Sequence, residues 1–170
     1  MNGGGARVLR FDGELTGADS FLDTLDDACA TYRRDRAVAA ILLIDLHVLG
    51  VSSIDTDLHS EIARHLRRSL RQGDIVSLIE PALLGCVLRD LLATAEIDII
   101  AERIFARLGQ PFAMRGGDSI AVSFSAGIAR LPEDGQTVRV LLGKARNALA
   151  GARTADRRRA GVTSIVDAAE

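Results

Sequence analysis

The chain has 170 residues, 48% of them hydrophobic, and a formal net charge of −2 at pH 7. That length suits one domain with a full core, and the near-neutral balance excludes a global field that would attract polymeric nucleic acid or anionic lipid. No apolar run approaches the ~18 residues that a membrane span requires, so no direct membrane insertion is expected. The basic residues are 20 arginines, scattered along the chain, and the single Lys144. Cys29 and Cys86 are too few for a disulfide framework and sit in apolar surroundings, which points to a reducing, cytoplasmic compartment. The start, Met1-Asn2-Gly3-Gly4-Gly5, is not apolar enough for a signal peptide. It reads as a flexible lead over residues 1–11, with a single domain over 12–170.

In chain order, a first helix is expected from Asp19 or Ser20, with Phe21, Leu22, Leu25, Ala28, Cys29 and Tyr32 at helical spacing. Arg33-Arg34-Asp35-Arg36 ends it. Val38 to Ile44 is an unbroken apolar run closed by Asp45, which suits a strand covered on both faces. Leu46 to Asp57 reads as irregular. A second helix follows, with Leu58, Ile62, Leu66 and Leu70 on one stripe and Arg64, Arg67, Arg68 and Arg71 toward water, and Gly73 ends it. Ile75 to Ile79 and Leu83 to Leu88 form a hairpin broken by Glu80-Pro81-Ala82. A third helix is expected from about Leu91 to Leu108, stopped by Gly109 and Pro111. Phe112 to Ala129 reads as a strand pair turning at Arg115-Gly116-Gly117-Asp118. Pro132-Glu133-Asp134-Gly135 is a turn, Val138 to Leu149 carries a fourth helix, and Val162 to Val166 a last strand. The order predicts an α/β (α+β) fold. It has a mixed central sheet, a β-α-β-β-α-β core of ferredoxin-like arrangement, and flanking helices.

These residues together resemble a GGDEF domain, the fold of bacterial diguanylate cyclases. Leu15-Thr16-Gly17 resembles the family's entry motif, Ile44-Asp45-Leu46 the end of its first core strand, and Gly73-Asp74-Ile75-Val76 the run into its signature hairpin. Ala101-Glu102-Arg103-Ile104 resembles its third helix. Ser125-Ala126-Gly127-Ile128-Ala129, followed by Pro132-Glu133-Asp134-Gly135, is similar to its late strand and turn. The order and spacing of these matches are more specific than any one of them.

The resemblance places the family's Gly-Gly-Asp/Glu-Glu-Phe signature on Glu80-Pro81-Ala82-Leu83-Leu84, where none of its residues survives. The family's glycines let the turn approach a triphosphate, whereas Pro81 fixes φ and removes a donor. The first signature acid assists deprotonation of the ribose hydroxyl and the second holds a metal; Ala82 and Leu83 can do neither. Asp45 is the lone remnant of the metal ligands, so Mg²⁺ is not expected to bind tightly and no cofactor is expected. The loop after Asp45 is about six residues short by the same comparison, lacks the guanine-reading Asn, and offers only Asp55 or Asp57 as a loose match to the later Asp.

Two other features match. Arg71-x-x-Asp74 stands five residues before the signature, where the family has its inhibitory site, and Arg103 matches the third member of that site. Arginine forks read guanine O6 and N7, and a carboxylate accepts from the other guanine edge. Arg153 and Arg157 match the family's cations that contact GTP phosphates; cations leaving a helix are also commonly just solvated. Gly116-Gly117-Asp118 is most simply a turn, and His47, His59 and His65 do not have metal-ligand spacing. The resemblance therefore implies a catalytically inactive domain that binds cyclic di-GMP at Arg71, Asp74 and Arg103 as a signalling effector. Its implied partners are a homodimer mate and an adjacent domain or protein. The alternatives are a nucleotide-independent interaction scaffold, a GTP-binding regulatory domain using Arg153 and Arg157, and, least favoured, an altered cyclase.

Overall fold

The computed structural model describes residues 7–9, 15–48, 55–158 and 164–167. Two short strands, β1 (Arg7–Leu9) and β2 (Leu15–Gly17), precede α1 (Ala18–Asp35). Then come β3 (Val38–Val48), α2 (Thr56–Arg67), β4 (Ile75–Glu80), β5 (Leu83–Leu91) and α3 (Ala95–Leu108). A small hairpin, β6 (Phe112–Ala113) and β7 (Ser119–Ile120), leads to β8 (Val122–Leu131), α4 (Val138–Arg158) and β9 (Ser164–Asp167). Seven strands form one sheet in the order β2-β1-β4-β5-β3-β8-β9, and β6 and β7 form a separate pair. All neighbours in the large sheet are antiparallel except β8 and β9, so the sheet is mixed. The inner order β4-β5-β3-β8, with α2 and α3 as crossovers, is the expected ferredoxin-like core.

β3 shows why the apolar run is unbroken. Its residues alternate between two cores. Ala40, Leu42, Ile44 and Leu46 face α2 and α3, where they meet Leu58, Ile62, Leu66, Ile97, Ile100 and Ile104. Ala39, Ile41 and Leu43 face α1 and α4, where they meet Phe21, Leu25, Leu141, Ala145 and Leu149. Each such aliphatic side chain contributes about 1.5–3 kcal/mol by leaving water. β8 runs beside β3 in continuous register, with Leu43 opposite Gly127 and Asp45 opposite Ser125. A Cβ at Gly127 would collide with the Ala145 carbonyl and the Leu149 amide. That glycine lets α4 rest on the strand backbone.

Several expectations are corrected. Arg7–Leu9 lies inside the stretch read as a flexible lead, yet it pairs with β2 and β4. Leu15–Gly17, read only as a helix approach, is a strand. β3 continues through Asp45 to Val48, because Ala126 to Val122 of β8 extend the ladder past the charge. α2 stops at Arg67 and Gly73 instead shapes the turn before β4, where φ is +103°. α3 starts at Ala95, four residues later than expected, because β5 runs on to Leu91. Asp55, weighed as a guanine reader, caps α2 by accepting from the Leu58 amide at 2.8 Å.

Candidate functional site

The β4–β5 hairpin ends in a turn at Pro81 and Ala82, with Glu80 paired to Leu83 across it. Its backbone is held from two sides. Leu46 donates its amide to the Ala82 carbonyl at 2.8 Å, and His59 Nε2 on α2 lies 2.9 Å from the Pro81 carbonyl. Leu83, which the sequence resemblance sets at the family's metal-holding acid, is buried and is the cross-strand partner of Asp45.

Asp45 itself is not available as a metal ligand in this arrangement. Arg153, on the last turns of α4, donates from Nε to Asp45 Oδ2 at 2.7 Å. His47 Nε2 lies 3.5 Å from the same oxygen and 3.4 Å from Ser125 Oγ. Both contacts use one ring nitrogen, so Ser125, His47 and Asp45 are not strung into a nucleophile-activating relay. One carboxylate neutralised by a guanidinium, with a leucine opposite, does not fit a divalent cation. Among the described residues no group of three or more His, Cys, Asp or Glu side chains is placed to hold a metal. Arg153, expected to be either a phosphate contact or solvated, is instead ion-paired. The Arg157 side chain lies outside the described residues.

The second candidate region is the turn between α2 and β4. Here Asp74 is 1% exposed. One carboxylate oxygen accepts the Arg71 amide at 2.9 Å and the other the Arg89 amide of β5 at 3.0 Å. Burial raises its pKa; the two amides and the Arg71 charge pull the other way. Asp74 thus closes the turn onto the sheet. The Arg71 guanidinium donates to Glu96 Oε2 at 2.6 Å. Glu96 Oε1 accepts the Leu92 and Ala93 amides, which caps α3. Those contacts from Arg71 and Leu92 hold the Glu96 carboxyl below its ordinary value. The Arg103 side chain is exposed on α3, and its backbone carbonyl accepts from Ser69 Oγ at 3.4 Å.

The three expected ligand residues therefore share one end of the α2–α3 layer. Arg71 and Asp74 meet through backbone, and the Arg103 side chain contacts neither of them. Sequence reading missed Glu96, Arg89 and His59. Acidic residues at the start of α3, Glu96 and Asp98, were the available signal for Glu96; the other two are long-range pairings with no local signature.

A family model described as diguanylate cyclase, GGDEF domain, matches residues 14–159. The chain is similar to the GGDEF domain of PA1120 (TpbB or YfiN) from Pseudomonas aeruginosa, at 26% identity and a TM-score of 0.73, covering 87% of this chain and 88% of that one. It is also similar to an EAL/GGDEF domain protein from M. capsulatus, at 29% identity and a TM-score of 0.62, covering 86% and 96%. The GGDEF domain of DgcB from Caulobacter crescentus, solved in complex with c-di-GMP, matches in fold at 19% identity and a TM-score of 0.65, covering 89% and 90%. No curated protein matches the chain.

Proposed function

The chain belongs to the diguanylate cyclase GGDEF-domain family, and from that premise we propose that it is a non-catalytic member acting in cyclic di-GMP signalling. One observation carries this reading: Arg153 occupies Asp45, across from Leu83, where the family would assemble its metal site. Without a metal-held triphosphate and a base at Ala82, the 3′-hydroxyl has neither an activator nor a positioned target.

Output then comes from binding. The proposed ligand is cyclic di-GMP, taken at Arg71, Asp74 and Arg103. Two exposed guanidiniums suit guanine edges and phosphates. Asp74 reaches a guanine only if the 71–74 turn opens and its two amides are given up. Apparent affinity is then weakened by the fraction of molecules in the open state. A second reading, an interaction scaffold that binds no nucleotide, is favoured by the burial of Asp74 and the engagement of Arg71 with Glu96.

Two assays test the proposal. Incubation with GTP and Mg²⁺ or Mn²⁺ is expected to yield no cyclic di-GMP by chromatography, and turnover above a no-protein control would overturn the non-catalytic reading. Equilibrium dialysis is expected to retain cyclic di-GMP and not GTP; retention of neither would leave the scaffold.

A further inference from the structure

A double row of arginines follows the seam between α2 and α3. Arg64 and Arg68 stand one turn apart at the end of α2, and Arg103 and Arg107 one turn apart on α3. The helices run past each other in opposite directions. Arg71 meets Glu96 at one end, and Ser69 Oγ reaches the Arg103 carbonyl further along. His65 reports the convergence of the two rows. Its pKa is lowered first by burial and then by the charges of Arg64, Arg68 and Arg107, against the opposing pull of Glu61. The same ring packs on Phe112 with centroids 4.7 Å apart.

Acids do not balance this strip. Arg64 pairs with Glu61, but Arg68, Arg103 and Arg107 have no ion-pair partner among the described residues. Like charges one turn apart cost a helix about 0.2–0.5 kcal/mol per pair, and here two such pairs lie side by side. Cations offset the dipole only in a helix's last turn, which accounts for Arg107 but not Arg103. A chain of net charge −2 thus concentrates unpaired guanidiniums on one seam.

The spacing selects the class of partner. Arginines within each row are about 6 Å apart along the helix, and packed helix axes lie roughly 8–10 Å apart. Carboxylates one turn apart on a helix laid in the seam meet both rows with fork geometry. We propose that the α2–α3 seam docks an acidic helical segment of a partner protein. Arg103 is shared with the proposed nucleotide site, whereas Arg68 and Arg107 lie outside it, so variants at those two positions test this inference separately.

The test is fluorescence anisotropy of a labelled alanine-rich peptide with glutamates one turn apart, against the intact chain. A peptide of the same composition with its glutamates spread around the helix serves as comparison. Binding of the patterned peptide is expected to weaken with salt and to drop at least about tenfold in Arg68→Glu/Arg107→Glu. Arg68→Gln/Arg107→Gln should show a smaller loss, and Arg33→Glu/Arg34→Glu on α1 should be near wild type. Circular dichroism checks that each variant is folded. No binding at low salt, equal loss in the α1 variant, or equal affinity for the scrambled peptide would overturn the proposal. So would a preference of the same arginines for pyrophosphate or phosphatidylglycerol vesicles over the patterned peptide.

Discussion

Asp45 and Asp74 are both buried or nearly buried carboxylates, and this chain satisfies each of them differently. Asp45 is met by a side-chain cation, Arg153, beside the β4–β5 turn. Asp74 is met by two backbone amides, from Arg71 and Arg89, at the α2–β4 turn. The difference is one of architecture. An ion pair at a partly exposed arginine is a local contact that leaves the fold indifferent to it. A buried carboxylate satisfied by main chain ties a turn to a strand and has a structural task whether or not a ligand binds.

The largest expected effect follows from that contrast. Asp74→Ala leaves the Arg71 and Arg89 amides without the acceptor of their part-buried hydrogen bonds, costing about 1–3 kcal/mol in all, and should lower the urea midpoint accordingly. An unchanged midpoint would mean that the turn does not depend on the carboxylate. Gly127→Ala should cost about 1–3 kcal/mol by overpacking α4 against β8, and should loosen the seating of Arg153 over Asp45. Asp45→Ala should cost under about 1 kcal/mol, since Arg153 regains solvent. Near-equal losses at Asp45 and Asp74 would erase the distinction between the two regions.

A smaller effect concerns pH. Asp74 has its folded pKa raised, so the native state binds more protons than the unfolded state above the ordinary value of 3.8. Its contribution to stability therefore declines as pH rises from 3.8 through the raised value. The stability difference between wild type and Asp74→Asn should shrink over that window and level off above it. A difference that grows with pH would place the folded pKa on the other side. In the core, burial pushes the Cys86 thiol up to about 12, so alkylation of Cys86 at neutral pH should wait for unfolding.

The core was legible in the sequence because it is written in period and length. The apolar run of β3, the α2 stripe and the β4–β5 hairpin each follow from local patterning. The short strands β1 and β2 at one side of the sheet were not, since three-residue strands carry no periodicity and exist by pairing. At the candidate sites, sequence gave residue types without directions. Nothing local says that Arg153 turns onto Asp45, 108 positions away, or that Asp74 faces Arg89 of the next strand rather than solvent. The Glu96 cap lies just past a stretch whose apolar pattern suits either strand or helix, because β5 runs on to Leu91 before α3 begins at Ala95.

The most direct measurement is calorimetric titration of cyclic di-GMP into the wild type, Arg71→Ala and Arg153→Ala. It asks which end of the molecule answers to nucleotide. Binding by the wild type is expected, with a loss of about 1–3 kcal/mol, or roughly ten- to a hundredfold, in Arg71→Ala and little change in Arg153→Ala. No heat with the wild type at tens of micromolar protein, or equal losses in the two variants, would contradict it.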